Sequence, residues 1–338
     1  VAAVALLLPL AVLLVRCQIA LSGIKYWHVF DQYLKGGLEP VFQARLLMGV
    51  LIGVVWSLIP GPWFPEHVNV VLQVCFVWVG LWATWAYARN WLPMGYALAA
   101  AILAGFWLEW GMLPMGFSIS YPYDLPAFAL SALGVLALRR GDFWGLAAIV
   151  AFGTLNKETM VWLVAACVAL QLMRRPAPRL GWLRVFALAA ICAAVYSVAR
   201  LAMVRSGGPL VTATLYEDVP ARITRVEANV RELLTLRHGL PSENVYWFAL
   251  LFVPVAFLWR RLEAADRALW LGAAALFVAN FICGNIWEVR IFNEIVPLGA
   301  VAWVLAIRLW TCPADAVAAP ADTADGERHR AQEKAPRA

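Results

Sequence analysis

The chain has 338 residues, of which 63% are hydrophobic and only 14% charged, with a net charge of +6 and a mean hydropathy of +0.73. That composition excludes a soluble globular domain and indicates a polytopic helical membrane protein. The positive charge needs no nucleic-acid partner, because it resides in loop arginines (Arg174, Arg175, Arg179, Arg184, Arg260, Arg261, Arg267) of the kind that set membrane topology.

Six cysteines without CxxC spacing read as small buried hydrophobes, and four scattered histidines argue against a His-based metal site. Many of the 18 Trp, among them Trp27, Trp63, Trp91, Trp107, Trp110, Trp182, Trp247 and Trp310, fall near span ends, where an interfacial belt places them. The expected architecture is all-α: a transmembrane bundle over residues 1–312 with about 10–12 spans, several of them short or re-entrant.

In chain order, apolar runs are readable at Val1–Leu21, Leu46–Ile59, Val68–Ala88, Leu92–Leu108, Leu125–Leu138, Phe143–Leu155, Thr159–Met173, Leu183–Val204, Tyr246–Trp259, Ala268–Gly284 and Ile291–Trp310. The first lacks a cleavage pattern and reads as a retained span, and the absence of an initiator Met points to an upstream start. The loop from Lys25 to Arg45 follows, carrying Asp31, Glu39 and Gln43. Charge counting puts it on the arginine-rich side, whereas one re-entrant segment would place it opposite. Both parities stay open. Taken alone, the loop also suits an interfacial segment with snorkelling basic residues.

Residues 139–175 are the most informative stretch. Arg139-Arg140 and Arg174-Arg175 bracket apolar sequence interrupted only by Asn156-Lys157-Glu158-Thr159. With both arginine pairs cytoplasmic, each limb is about 15 residues or ~22 Å of helix, against a hydrocarbon core of ~30 Å. The hairpin tip stops short of the far surface. A charge left exposed at that depth costs about 2.5–3.5 kcal/mol or more, so Asn156, Lys157 and Glu158 should face a wet cavity or partner charges.

Two further segments reach similar depth. Tyr121-Pro122-Tyr123-Asp124-Leu125-Pro126 opens a short helix ending at Arg139, and Asn285-Ile286-Trp287-Glu288-Val289-Arg290 precedes Asn293 and Glu294. Converging carboxylates can act as general bases or hold a divalent cation, and a neighbouring Lys or Arg can hold phosphate. Structural alternatives stand beside each. Asp124 suits an N-cap and Asn156 can cap the following helix, with Lys157 and Glu158 neutralising one another. Arg290 and Glu294 have intrahelical ion-pair spacing.

Between Arg205 and Asn244 lies a polar stretch, with Ile223, Val226, Val230, Leu233 and Leu234 at helical spacing. It predicts an amphipathic outer-face helix over Pro220–Leu236 within a segment at about 205–245. Residues 313–338 read as a disordered cytoplasmic tail.

Several of these motifs together resemble bacterial integral membrane proteins related to the GT-C glycosyltransferases. They are Asp31 after the first span, Phe42-Gln43-x-Arg45, Tyr123-Asp124-Leu125-Pro126, Asn156-Lys157-Glu158-Thr159, and Glu288-x-Arg290-x-x-x-Glu294. The resemblance implies a GT-C-like fold in the bacterial inner membrane with a cytoplasmic C-terminus, acting at the outer face on a polyprenyl-phosphate-linked sugar. It implies Asp31, Asp124 and Glu158 as catalytic carboxylates. Gln43, Arg45, Tyr123, Asn156, Lys157, Glu288, Arg290 and Glu294 would form the substrate site. Mg2+ or Mn2+, if used, would sit at Asp31 and Asp124. The expected partners are the bilayer, the lipid-linked sugar or another lipid, and membrane proteins. Two other readings remain: a non-catalytic subunit of a membrane complex, and a lipid or small-molecule transporter.

Overall fold

The computed structural model describes residues 2–34, 45–59, 64–110, 121–174, 179–205, 219–237, 240–283 and 289–312. The described residues are almost entirely helical. They form α1 (Ala2–Leu34), α2 (Leu47–Leu58), α3 (Pro65–Ala88), α4 (Met94–Trp110), α5 (Asp124–Arg140), α6 (Phe143–Asn156), α7 (Trp162–Met173), α8 (Arg179–Arg205), α9 (Val219–Leu234), α10 (Glu243–Leu258), α11 (Ala264–Cys283) and α12 (Val296–Thr311). Tight 3-10 turns at Glu158–Val161 and Val289–Ile295 lead into α7 and α12, and Leu236–Arg237 pairs with Leu240–Pro241 as a minimal hairpin.

Among the described residues four segments are long and apolar enough to cross a bilayer: Pro65–Ala88, Gly181–Ala202, Ala264–Cys283 and Ile291–Thr311. Shorter apolar helices accompany them, including Leu47–Leu58, Phe143–Asn156 and Glu158–Met173. By helix length and composition the chain is a multi-pass membrane protein. Its outer faces agree: Leu183, Phe186, Val198 and Leu201 of α8 are exposed although apolar, as lipid-facing side chains are.

α5 is the central element. Every residue from Asp124 to Leu138 is buried except Leu133, and its neighbours are α3, α6, α7, α11, α12 and the 289–295 turn. Small residues permit this crowding. A side-chain carbon on Gly272 of α11 would come within 2.8 Å of the Trp162 carbonyl of α7, so only glycine lets those two backbones approach.

The turn after α5 follows from its sequence. Gly141 adopts φ 69°, the left-handed conformation that ends a helix, and its N–H returns to the Leu138 carbonyl. Asp142 then caps α6 by accepting from the Gly145 N–H at 2.9 Å. The next helices are short: α6 has 14 residues and α7 has 12, so each rises only about 18–21 Å. Both limbs of the hairpin expected from the arginine spacing are therefore short.

The first expected loop is not entirely a loop. α1 continues through Asp31 to Leu34, and Phe30 packs with Met48, Ile52 and Val68 of α2 and α3. Arg45, at the start of α2, then reaches the hairpin tip. Arg45 thus lies at the same end of the bundle as Lys157 and Glu158.

The amphipathic helix forms as α9, and it docks through Leu233 of the apolar register together with polar residues. Asn229 is fully buried and donates to the Phe281 carbonyl at 2.7 Å, and Arg225 donates to the Cys283 carbonyl at 2.5 Å. These bonds satisfy carbonyls at the end of α11. Val230 and Leu234 remain exposed.

Candidate functional site

The site grows from the start of α5. Three consecutive residues there are held by two segments, α3 and the hairpin tip. Gln73 of α3 donates to the Pro122 carbonyl at 2.6 Å, Asn156 at the end of α6 donates to the Tyr123 carbonyl at 2.8 Å, and Asp124 Oδ1 lies 3.9 Å from Lys157 Nζ. Asn156 therefore does not cap α7. Asp124 occupies the first helical turn and accepts from the Tyr121 N–H at 3.4 Å rather than capping α5.

Lys157 adopts extended backbone (φ −162°), which ends α6 and sends successive side chains apart. Its ammonium pairs with Glu294 Oε1 at 2.9 Å. The same oxygen accepts from the Thr159 hydroxyl at 2.5 Å. Lys157 is 2% exposed, Asp124 2% and Glu294 0%, so the ammonium stands between two carboxylates away from bulk water. A charge buried this way is stable only because it is paired.

Glu158 turns outward instead. It accepts from Arg45 Nη2 at 2.8 Å and Nε at 3.2 Å, a two-point guanidinium–carboxylate contact. The Arg45 guanidinium also lies 4.2 Å from the centre of the Tyr123 ring, and Tyr121 stacks on Tyr123 at 5.2 Å. The Glu158 side chain keeps 37% of its surface and Arg45 only 10%. The pair forms the accessible edge of an otherwise closed cluster. Lys157 and Glu158 do not neutralise one another; each takes a partner from a distant segment.

Of the residues expected at the site, Arg45, Tyr123, Asp124, Asn156, Lys157, Glu158 and Glu294 are brought together. Asp31 lies exposed on α1 and is not among the buried residues. Gln43 and Glu288, and the Arg290 side chain, lie outside the described residues. Glu294 is held by Lys157 and Thr159, and its expected pairing with Arg290 lies outside the described residues. Among the described residues no group of three or more Asp, Glu, His or Cys side chains gathers as a metal site would. Around Asp124 and Glu294 the cation is Lys157 itself.

Gln73 escaped the sequence reading, and Asn293 was named there without a role. Gln73 left a signal, because it and Asn69 are polar at i, i+4 within the apolar α3, and the two are hydrogen-bonded at 3.4 Å. Asn293 is fully buried, with neither its Nδ2 nor its Oδ1 hydrogen-bonded. It sits beside Glu294, whose other oxygen is equally unsatisfied.

A second cluster, also unforeseen, lies at the other end of α5. Arg139 makes two bonds to Glu263 at 2.5 and 2.7 Å and approaches Asp266 at 3.5 Å, while Tyr87 donates to Asp266 at 3.2 Å. The bond from Arg139 holds the exposed Glu263 carboxyl below its ordinary range.

The fold and this geometry define a class: an all-helical, multi-pass membrane protein with a buried ionic cluster at one end of its central helix. No protein-family model and no curated protein matches the chain.

Proposed function

We propose that the chain is a membrane glycosyltransferase-like protein, using a polyprenyl-phosphate-linked sugar at the outer face of the bacterial inner membrane. The observation that carries this reading is the Arg45–Glu158 pair: a carboxylate and a guanidinium, mutually oriented, at the accessible edge of an ionic cluster at one end of the bundle. Group transfer from a lipid phosphate needs those two functions, a base for the acceptor hydroxyl and a cation for the departing phosphate.

In this scheme the acceptor oxygen attacks the anomeric carbon, the bond from that carbon to the phosphate oxygen breaks, and the hydroxyl proton passes to Glu158. The departing phosphate keeps the bonding electrons and is held by Arg45. The two roles are linked. Protonating Glu158 removes the charge that binds Arg45, which frees the guanidinium for the phosphate. Lys157, Asp124 and Glu294 keep the hairpin tip in place beneath that pair. Among the three carboxylates Glu158 is the reachable one, so the base is assigned to it rather than to the buried Asp124.

The test is consumption of a radiolabelled polyprenyl-phosphate hexose by the purified protein in nanodiscs. Glu158→Gln and Arg45→Gln should each lower turnover at least 100-fold. If wild-type protein consumes no donor, or neither substitution matters, the transferase reading fails. One observation favours a second reading, a non-catalytic membrane subunit: every described charge of the cluster has a partner within the chain. A folded protein that neither binds nor consumes donor, yet co-purifies with a membrane partner only while Arg45 and Glu158 are intact, would support it.

A further inference from the structure

At the end of α5 the charges do not cancel, and the excess lies on the surface. Among the described residues three acids lie there, and each is already engaged. Glu263 accepts two bonds from Arg139, Asp266 accepts from Tyr87 and faces Arg139 at 3.5 Å, and Asp142 caps α6. Arg308 donates to the Trp91 carbonyl at 2.7 Å, and Arg267 donates to the Trp259 and Arg260 carbonyls at 3.0 and 3.2 Å. Arg140, Arg260 and Arg261 are different. All three are exposed, and none of their guanidinium groups has a hydrogen-bond or ion-pair partner among the described residues. Their backbone is nonetheless fixed. The Arg267 bonds and the Arg261 N–H, which donates to the Leu258 carbonyl at 2.7 Å, close the turn after α10. Gly141 closes the turn after α5, and the Arg139–Glu263 bridge ties the two turns together.

We infer that this end of the bundle is a docking surface for the headgroups of anionic phospholipids, with Arg140, Arg260 and Arg261 as its contacts. Uncompensated cations on two joined turns call for counter-charge from outside the chain, and a guanidinium meets a phosphate group through two parallel bonds. The aromatic surroundings favour a lipid over a soluble anion or an acidic protein. Trp144 (79%), Trp259 (37%) and Trp310 (85%) are exposed at this same end, where the indoles of a membrane-spanning bundle sit at headgroup depth. A zwitterionic headgroup carries its own cation and cancels nothing, so the fitting lipid has net negative charge. Arg231, exposed on α9 at the opposite end, shows the contrast, because Glu227 pairs with it at 2.9 Å. The surface is separate from the Arg45–Glu158 pair and does not depend on the transferase reading.

The test titrates the full-length protein in detergent micelles with phosphatidylglycerol or phosphatidylcholine and counts bound lipid by native mass spectrometry. Wild-type protein should bind phosphatidylglycerol about a hundredfold more tightly than phosphatidylcholine at low salt, and high salt should shrink the preference. Replacing all three residues (Arg140→Gln, Arg260→Gln and Arg261→Gln) should abolish the preference. The melting temperature in phosphatidylcholine should stay unchanged, because these side chains bond nothing among the described residues. Each single substitution should lower phosphatidylglycerol affinity about fivefold, which keeps the test decisive if the triple variant folds poorly. Arg231→Gln should alter binding of neither lipid. Equal binding of the two lipids by wild-type protein overturns the surface, as does a preference that survives the single and triple substitutions. The same loss from Arg231→Gln overturns it too, since net charge alone would then explain the binding. So does displacement of phosphatidylglycerol by inorganic phosphate, which would make the arginines a site for a free anion rather than a lipid.

Discussion

The two ends of α5 carry ionic clusters of opposite character. At its start, Lys157 is enclosed between Asp124 and Glu294, and five unsatisfied polar atoms of Gln73, Asn156, Asn293 and Glu294 stay in the interior. At its end, Arg139 pairs with Glu263, whose side chain is 63% exposed, among loop arginines in contact with water. The second cluster behaves as an anchor that joins α3, α5 and α11, with one partner free to exchange for solvent. The buried Lys157 group has no such freedom, and although Asp266 Oδ2 at the second end is also buried without a hydrogen bond, the first end keeps more such atoms. Expense of that kind marks a region kept for binding or chemistry rather than for stability.

Substitutions should separate the two ends sharply. The largest effect is expected for Lys157→Met, which strands Asp124 and Glu294 as buried anions and should cost ~3–5 kcal/mol, read by denaturant unfolding in detergent micelles. Neutralising Glu294 as well should recover a large part of that loss. Gly272→Val comes next: its side chain must push α11 from the Trp162 carbonyl, at about 1–3 kcal/mol on the same assay. Gly141→Ala, forced into left-handed backbone at the turn after α5, should cost ~1–2 kcal/mol.

At the far end Glu263→Ala should cost under ~1 kcal/mol, because the pair is open to water and screened. The pH response there has a defined sign. Glu263 is held below its unfolded value by Arg139, so its contribution is complete above that value and fades as pH falls through the lower folded one. A pH titration of unfolding should show a small acid-side loss that disappears in Glu263→Gln. Equal penalties for Lys157→Met and Glu263→Ala would erase the distinction between the two ends.

Much of the site was legible in the sequence, for a simple reason. Arginine pairs bracket the segment and helix rise fixes how far a short limb reaches, so Asn156, Lys157 and Glu158 could be placed at the tip of a short helical hairpin without coordinates. The Tyr123–Asp124 helix start followed by the same count from Arg139. What the sequence hides is pairing. Nothing local says that Lys157 reaches Glu294 while its neighbour Glu158 reaches Arg45, because that divergence comes from one extended residue at the hairpin tip. The continuation of α1 to Leu34 was hidden as well: its last turns mix polar and apolar residues, as a loop does. Gln73 passed unnoticed and Asn293 was given no role because single amides in apolar runs are common, and their importance appears only when their partners are counted.

The central claim is that the hairpin tip and the 289–295 turn meet as an ion pair inside the bundle. A double-mutant cycle on Lys157→Met and Glu294→Gln, measured by unfolding in micelles, tests it most directly. The predicted result is a coupling above ~1.5 kcal/mol, with the double variant more stable than the sum of the single losses requires. Additivity within about 0.3–0.5 kcal/mol would show that the two side chains do not meet and would contradict the account.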